Sequence, residues 1–430
     1  MQAKQIQQKR LSIGIVGGGI GGVAFAVALS RDSSLHVQLF EAAPQFSEIG
    51  AGVSFGPNAV KAIHLLGLDA SYQRIADASP APFEDVWFEW RRGSDDAYLT
   101  ASLAPGVGQS SVHRADFLDA IVANLPEGIA HFGKCCIDVK QDADSATAIF
   151  DDGTHFTGDV IIGFDGIKSA VRSHVLPPEQ YGEITPFWSG TYAYRGMIPT
   201  GQLESALEAK GSEKRLALVP QMYLGKDRHI LTFPVKHSQL INVVAFITDR
   251  STPIPMLRQH EEWVQATTQE EMLEVFEGWS PACQAILECI PEPTRWALHE
   301  LPELVRYHRD RVLIVGDAAH ALVPHQGAGA GQALEDAYVL ASLLADANCH
   351  RHNVSTILSA FEQVRHSRTC KVQRTSHEAG DVYEYAGEGI GDDEAKLINN
   401  LETRFEWLWH HNPHDDVVAA RQIVALATSP

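Results

Sequence analysis

Residues 11–30 read LSIGIVGGGIGGVAFAVALS, and the order of side chains in this stretch decides the fold class. Residues 11–16 form a short apolar run suited to a buried strand, and residues 20–30 are almost wholly apolar over a helical length. Between them Gly17, Gly19 and Gly22 stand in the spacing G-x-G-x-x-G. A second β-rich run at residues 35–40 completes a β-α-β unit at the start of the chain. In such a unit the first glycine makes the tight turn, the second lets backbone approach a pyrophosphate, and the third allows close packing of helix on sheet. The helix N-terminus adds free N–H groups and the positive end of its dipole. Glu41 ends the second strand nineteen residues after Gly22, where a carboxylate can accept hydrogen bonds from ribose hydroxyls. The segment predicts a dinucleotide site; the competing readings are a structural glycine turn and, for Glu41, a solvated charge at a strand end.

Moving outward, the 430 residues suffice for two or three folded units, and no repeat of 20 to 50 residues or long low-complexity tract interrupts them. Residues 80–90 and 216–246 read as strands broken by Pro, Gly and polar residues, including runs at 230–235 and 240–247, which predicts a second, more antiparallel sheet. An apolar strand at 311–315 returns to a glycine-rich turn and a helix over 331–346. Beyond Phe361 the chain is charged and helical, with Trp407 and Trp409 expected to dock on the body. The expected class is α/β: a discontinuous Rossmann-type domain over 11–78, 108–182 and 300–375, a smaller mixed-sheet substrate domain over 79–107 and 183–299, and a C-terminal helical segment over 376–430.

Charge narrows the partners. With 54 acidic and 34 basic side chains the formal net charge is -20, a field that repels nucleic-acid phosphates and anionic membrane surfaces. An anionic substrate would be repelled as well, so a site for one needs its own arginines or histidines. Cys135, Cys136, Cys283, Cys289, Cys349 and Cys370 contain no C-x-x-C pair and read as thiols of a reducing compartment. The polar residues 1–10 lack the apolar core of a signal peptide, and no stretch approaches a membrane span, so a cytoplasmic location is expected. No metal is expected, because His320 and His325 have no third ligand at a sensible spacing. The triplet His308-Arg309-Asp310 copies a kinase catalytic motif, but the accompanying glycine loop and lysine strand are missing.

Two further segments show which dinucleotide is involved. Gly163-Phe164-Asp165-Gly166, followed by Lys168, Ser169 and Arg172, resembles the second fingerprint of the flavin-dependent aromatic hydroxylases, the group A flavin monooxygenases. Gly316-Asp317, with Pro324 and the glycines after it, resembles the third. Glu48-Ile49-Gly50-Ala51-Gly52, the run from Asp85 to Gly93, and His325-Gln326-Gly327-Ala328-Gly329-Ala330-Gly331 are similar to the salicylate hydroxylase branch of that family. Phe164 departs from the pattern, where a small residue is usual. The resemblance implies non-covalent FAD, with NADH and O2 as co-substrates. Its FAD contacts would map onto Gly17, Gly19, Gly22, Glu41, Gly50, Ala51, Gly52, Arg114, Asp317, Gly329, Ala330 and Gly331. Asp165 would take a structural or nicotinamide-related role.

The implied reaction is oxidative decarboxylation of salicylate to catechol through a C4a-hydroperoxyflavin. Rivals on the same scaffold are hydroxylation of 6-hydroxynicotinate or 3-hydroxybenzoate, and more distant ones are an NAD-dependent dehydrogenase or a non-catalytic flavin redox sensor. A phenolate attacks better than a phenol, so an imidazole near the substrate hydroxyl helps, and a carboxylate needs a forked cation. His325, just before the glycine run, is expected to contact substrate; Arg195 and Arg250, at strand ends, are the candidate anchors, with pairing of Arg250 to Asp249 and of Arg195 to a buried acid as the alternatives. His229, Leu231 and Phe233 alternate along one strand face and are expected to line the pocket, with an ordinary core face as the alternative for Leu231. The partner is a small phenolic acid, and the chain is expected to be a monomer or homodimer.

Overall fold

The computed structural model describes residues 10–47, 51–177, 184–251 and 262–428. The opening β-α-β unit forms as its pattern requires. Strand Leu11–Val16 sits at the centre of a six-stranded sheet, between Leu35–Phe40 and Val160–Gly163, and pairs parallel with both. The sheet continues through Val312–Ile314 to His308–Arg309 on one side and to Ala130–His131 on the other. Helix Ile20–Ser30 is apolar all round because it is enclosed: helix Gly329–Leu344 packs on it closely enough that a Cβ on Gly21 would lie 3.0 Å from the Ala333 Cβ. An antiparallel three-stranded sheet, Cys136–Gln141, Ala146–Phe150 and His155–Gly158, flanks this domain.

The second sheet has eight strands in the order Val264–Ala266, Thr294–Glu300, Phe187–Pro199, Leu240–Thr248, Arg228–Val235, Gln221–Gly225, Val86–Arg92 and Tyr98–Leu103. All its pairings are antiparallel except that of Gln221–Gly225 with Val86–Arg92, so the sheet is mixed. Period-two alternation gives it two apolar faces. Ile230, Ile241, Val243 and Ala245 meet helices Thr200–Ala209 and Pro281–Glu288, whereas Leu231, Phe233, Val244 and Phe246 turn the other way. That other face looks toward the Rossmann domain and the thirty-residue helix Val354–Tyr383. The two domains touch tightly at Gly52, where a Cβ would stand 2.5 Å from the Phe233 ring and 2.9 Å from the Asn242 Cβ.

The expected C-terminal docking takes a specific form. Trp409 stacks on Phe405 with ring centroids 4.9 Å apart, meets Trp87 edge-on, and covers Gly56, where a Cβ would be 2.5 Å from the indole nitrogen. Trp407 instead receives Lys371 over its ring at 3.9 Å. All six cysteines are free, and no helix among the described residues is long and apolar enough to cross a membrane.

Four helices converge on Arg365, whose side chain is fully buried. It donates to Glu335 and Asp336 at 2.8 Å, to Asp416 at 2.9 Å and to Gln332 at 3.0 Å. Glu335 also accepts from Arg368 and from Asn58 on helix Pro57–Leu65. Asp336 reaches across to the Gly316 N–H at 3.1 Å and to His320 at 2.7 Å, which fixes the turn after strand Val312–Ile314. Burial alone would raise both carboxyls, but the facing cations outweigh it and hold Glu335 and Asp336 below the ordinary carboxylate range.

Replacing Arg365 with Met leaves these carboxylates buried without their main cation and is expected to destabilise the fold by about 3–5 kcal/mol. The native carboxyls are depressed, so their contribution is present above the unfolded-state carboxylate range and is lost as pH falls through the lower folded values. In Arg365→Met burial is opposed more weakly, which pushes these groups toward protonation. Thermal unfolding should therefore show the largest deficit at neutral pH, shrinking toward about pH 4; a deficit independent of pH would count against this account.

Candidate active site

A cavity of about 360 Å³ lies between the Rossmann domain and the eight-stranded sheet. At one end it is bounded by Gly19, Ile20, Gly21 and Gly22. Gly17 has φ +107° and a Cβ on it would fall 2.2 Å from the Phe164 carbonyl, so no side chain fits there. A Cβ on Gly22 would lie 2.1 Å from the Gly17 carbonyl, so this glycine serves the tightness of the loop itself. Gly19 caps helix Ile20–Ser30 in extended conformation without a side-chain bond, which leaves the N-terminal N–H groups for a phosphate.

Glu41 receives the Gly18 N–H at 2.6 Å and the Ala43 N–H at 2.7 Å, so its carboxylate braces the glycine loop. It does not line the cavity. Gly50 lies outside the described residues, whereas Ala51, Gly52 and Arg114 all contribute to the wall. Arg114 opens helix Arg114–Val122, and its N–H is held by the Ala51 carbonyl at 2.9 Å.

Asp317 is exposed at the rim, directly after Gly316 with its φ of +58°. Helix Gly329–Leu344 starts two residues earlier than its sequence pattern suggests, which places Gly329 and Ala330 in its first turn and in the cavity wall. Gly331 does not line the cavity: a Cβ there would be 2.9 Å from the Ala59 Cβ, so this glycine lets two helices pack. The irregular Phe164 fits because Gly21 offers no side chain; its ring packs on Phe25 at 5.4 Å and faces the cavity. Asp165 is half-buried and accepts from Ser169, Ala170 and Val171, which anchors the second fingerprint loop. An exposed helix N-terminus, a narrow glycine-walled channel and cations at its side together fit a long, flat, phosphate-bearing cofactor such as FAD.

The other end is apolar and aromatic, walled by Trp87, Met222, Leu231, Phe233, Phe246 and Tyr383. Strand register explains the grouping, since Leu231 pairs with Val244 and Phe233 with Asn242, putting all four side chains on one face. Arg195 pairs with Val244 on the same face and also lines the cavity. Its guanidinium lies 4.6 Å from the centre of the Trp296 ring, and its Nε is buried without a partner. Burial and the nearby Arg114 charge bring Arg195 down to about 10, a sign of a cation lacking a counter-charge.

His325 enters the cavity from a short 3-10 turn, Pro324–Gln326, with Phe246 at 5.1 Å and His229 at 5.2 Å between ring centroids. A Cβ on Gly380 would touch its ring at 2.7 Å, so that glycine makes room for it. Burial, reinforced by His229, His377, Arg250 and Arg404, holds the His325 imidazole well below its usual range. At neutral pH it is an uncharged ring with a lone pair to offer a hydroxyl.

Two candidate residues occupy settings different from those expected. His229 is completely buried one layer behind the wall, stacked on Phe246 at 4.2 Å. Arg250 does not line the cavity either; its guanidinium binds Asp227 at 3.1 Å, Asp381 at 2.6 Å and Glu384 at 2.7 Å. Burial would lower Arg250, but these carboxylates raise it instead. The alternative reading of Arg250, an ion pair with nearby acids, is thus the one its geometry favours, although the partner is not its neighbour Asp249. The sequence reasoning did not single out Trp87, Tyr383 or Glu384. Trp87 stands with Phe88 and Trp90 in a visible aromatic run, whereas Tyr383 and Glu384 end a long charged helix and carry no local signal. Among the described residues no group of three His, Cys, Asp or Glu side chains is placed to hold a metal.

Comparison with known proteins agrees with this geometry. Residues 202–376 match the FAD binding domain family and residues 15–54 the NAD(P)-binding Rossmann-like domain family. A salicylate hydroxylase of Pseudomonas putida is 56% identical over 411 residues, covering 96% of this chain and 95% of its own. A 6-methylsalicylate 1-monooxygenase of Aspergillus terreus is 37% identical, covering 93% of this chain and 89% of its own. The solved structure of a salicylate hydroxylase substrate complex superposes with a TM-score of 0.90 at 45% identity, covering 96% of this chain and 98% of that one. With its glycine-lined cavity, its mixed sheet and this near full-length likeness, the chain belongs to the salicylate hydroxylase family of FAD-dependent monooxygenases.

Proposed function

We propose that this enzyme converts salicylate to catechol. The observation that carries the reading is Arg195: its buried Nε has no hydrogen-bond partner, it pairs with no carboxylate among the described residues, and it faces an aromatic cavity that also holds an uncharged imidazole. A small planar acid with a hydroxyl beside its carboxylate satisfies both groups. The balance is one salicylate, one NADH, one O2 and two protons giving catechol, CO2, NAD+ and water.

Bound FAD supplies the reducing electrons taken from NADH and the activated oxygen. Gly19 to Gly22 and Arg114 would hold its phosphates and ribityl chain, with Asp317 at the rim and Gly329 and Ala330 against the ring system. The chain's own residues do the rest. Arg195 binds the carboxylate with two donors and fixes the ring in the plane of the cavity. His325 accepts the hydroxyl proton, which raises electron density at the ring carbon carrying the carboxylate. Trp87, Met222, Leu231, Phe246 and Tyr383 exclude water around that carbon. The apolar wall gives 6-hydroxynicotinate no added partner for its ring nitrogen, and placing the hydroxyl meta, as in 3-hydroxybenzoate, separates it from the carboxylate that Arg195 would hold.

The purified protein should be yellow and carry about one FAD per chain, released as free FAD on denaturation; recovery of a nicotinamide dinucleotide or of no cofactor would overturn the assignment. Arg195→Ala should weaken salicylate binding about ten- to a hundred-fold, the loss of one charge-assisted contact, as read by titration of flavin fluorescence. Arg250→Ala should instead act on the carboxylates it binds, so equal effects of the two substitutions on salicylate affinity would return Arg250 to the anchoring role. His325→Ala should retain FAD while product per NADH consumed falls and hydrogen peroxide rises. The hydroxylation step itself should slow by about a hundred-fold or more; wild-type coupling and rate in a fully flavin-loaded variant would remove His325 from the chemistry.

A further inference from the structure

Behind the cavity wall lies a cluster of groups that the mechanism above does not use. Glu384 follows helix Val354–Tyr383 as its C-cap, and its side chain is fully buried. A carboxylate at the negative end of a helix dipole, out of contact with water, is electrostatically disfavoured and persists only if specific donors hold it. Two do so: Arg250 Nη2 at 2.7 Å on one oxygen, and His229 Nδ1 at 3.0 Å on the other. His229 is itself completely buried, clamped between the Phe246 face and the Tyr383 edge. Its second nitrogen, Nε2, has no partner. The neighbouring imidazole, His325, has its ring centroid 5.2 Å away and likewise carries a buried nitrogen, Nδ1, with no partner. The two rings are tilted 57° to one another, and each carries one buried nitrogen that no other group satisfies.

We infer that Glu384 is a positioning residue that sets, through both imidazoles, the direction of the hydrogen bond offered to the substrate hydroxyl. With Arg250 donating to one of its oxygens, Glu384 accepts on the other, so His229 carries its proton on Nδ1 and presents a lone pair at Nε2. That lone pair calls for a proton on His325 Nδ1. His325 Nε2 is then left bare, as an acceptor. Arg250 acts one step further back by binding the other oxygen of Glu384, which accounts for a guanidinium that stands beside the site yet, among the described residues, binds carboxylates. The polarity of the chain favours a ligand that donates at this point, a phenol, over one that presents only an acceptor. This inference rests on the reading of His325 as the group that meets the hydroxyl, and it adds the residue that makes that ring an acceptor.

The wild-type holoenzyme tests it without substrate. With 15N-labelled histidine, and assignment by single His→Gln variants, both His229 and His325 should be neutral and protonated at Nδ1 near neutral pH. Either ring found as the Nε2-protonated tautomer or as an imidazolium overturns the proposal, whatever the natural substrate is. Glu384→Gln keeps the shape but can donate to His229 Nδ1, which reverses the preferred tautomer. It should retain bound FAD, shift His325 toward the Nε2-protonated form, and lower product formed per NADH by at least about tenfold. Unchanged tautomers and coupling in a flavin-loaded Glu384→Gln protein also overturn it. Should that variant fail to fold, the wild-type tautomers still decide. Failure of salicylate turnover with the expected tautomers would instead count against the substrate assignment alone.

Discussion

The buried contact of Arg365 with Glu335 and Asp336 is the constraint on which the rest of the molecule depends. Helix Gly329–Leu344 has to start against the cofactor cavity, pack on the first Rossmann helix and hold the turn at Gly316, all at once. Apolar packing alone would leave its rotation free within the tolerance of small side chains such as Ala333. The guanidinium removes that freedom, because its planar donors meet two adjacent carboxylates, and one of those carboxylates carries the Gly316 N–H and His320. The cavity wall from Gly327 to Ala330 and the rim at Asp317 are thereby fixed to one rigid reference.

Charge is organised by depth. The net charge of -20 resides largely on the outside, whereas the cations near the cavity stand in two distinct states. Arg365 and Arg250 are saturated by carboxylates and serve as structural ties. Arg195 has none among the described residues, with an aromatic ring below it and Arg114 nearby. A local cation in an acidic protein attracts an anion that the surface field would turn away, and this reconciles overall composition with an acidic substrate.

Much of this was legible in the chain. The strand, glycine and helix order of residues 11–40 specifies the Rossmann unit, and alternation at 229–233 specifies which face of the second sheet turns inward, because both are short-range patterns with fixed periods. Leu231 and Phe233 could be singled out for that reason, and His325 and Arg195 by their places before the glycine run and at a strand end. Arg250, His229 and Gly331 were harder: whether an arginine is free or saturated, or a glycine meets a cofactor or a helix, depends on partners 130 residues or more away, such as Asp381 and Glu384, or Ala59. Glu384 had no local signal at all. Its role arises from meeting His229 across 155 positions of sequence.

The indole of Trp409, lying over Gly56 and against Trp87, joins residues separated by more than 300 positions of sequence at the back of the cavity. During synthesis the first β-α-β unit leaves the ribosome long before residues 405–409 do, and domains form in the order in which they emerge. Until that late segment arrives, the Trp87 face stays open to water, so the growing chain holds an incomplete wall of exposed aromatic surface. The wall around Trp87 is therefore complete only once the C-terminal segment has docked.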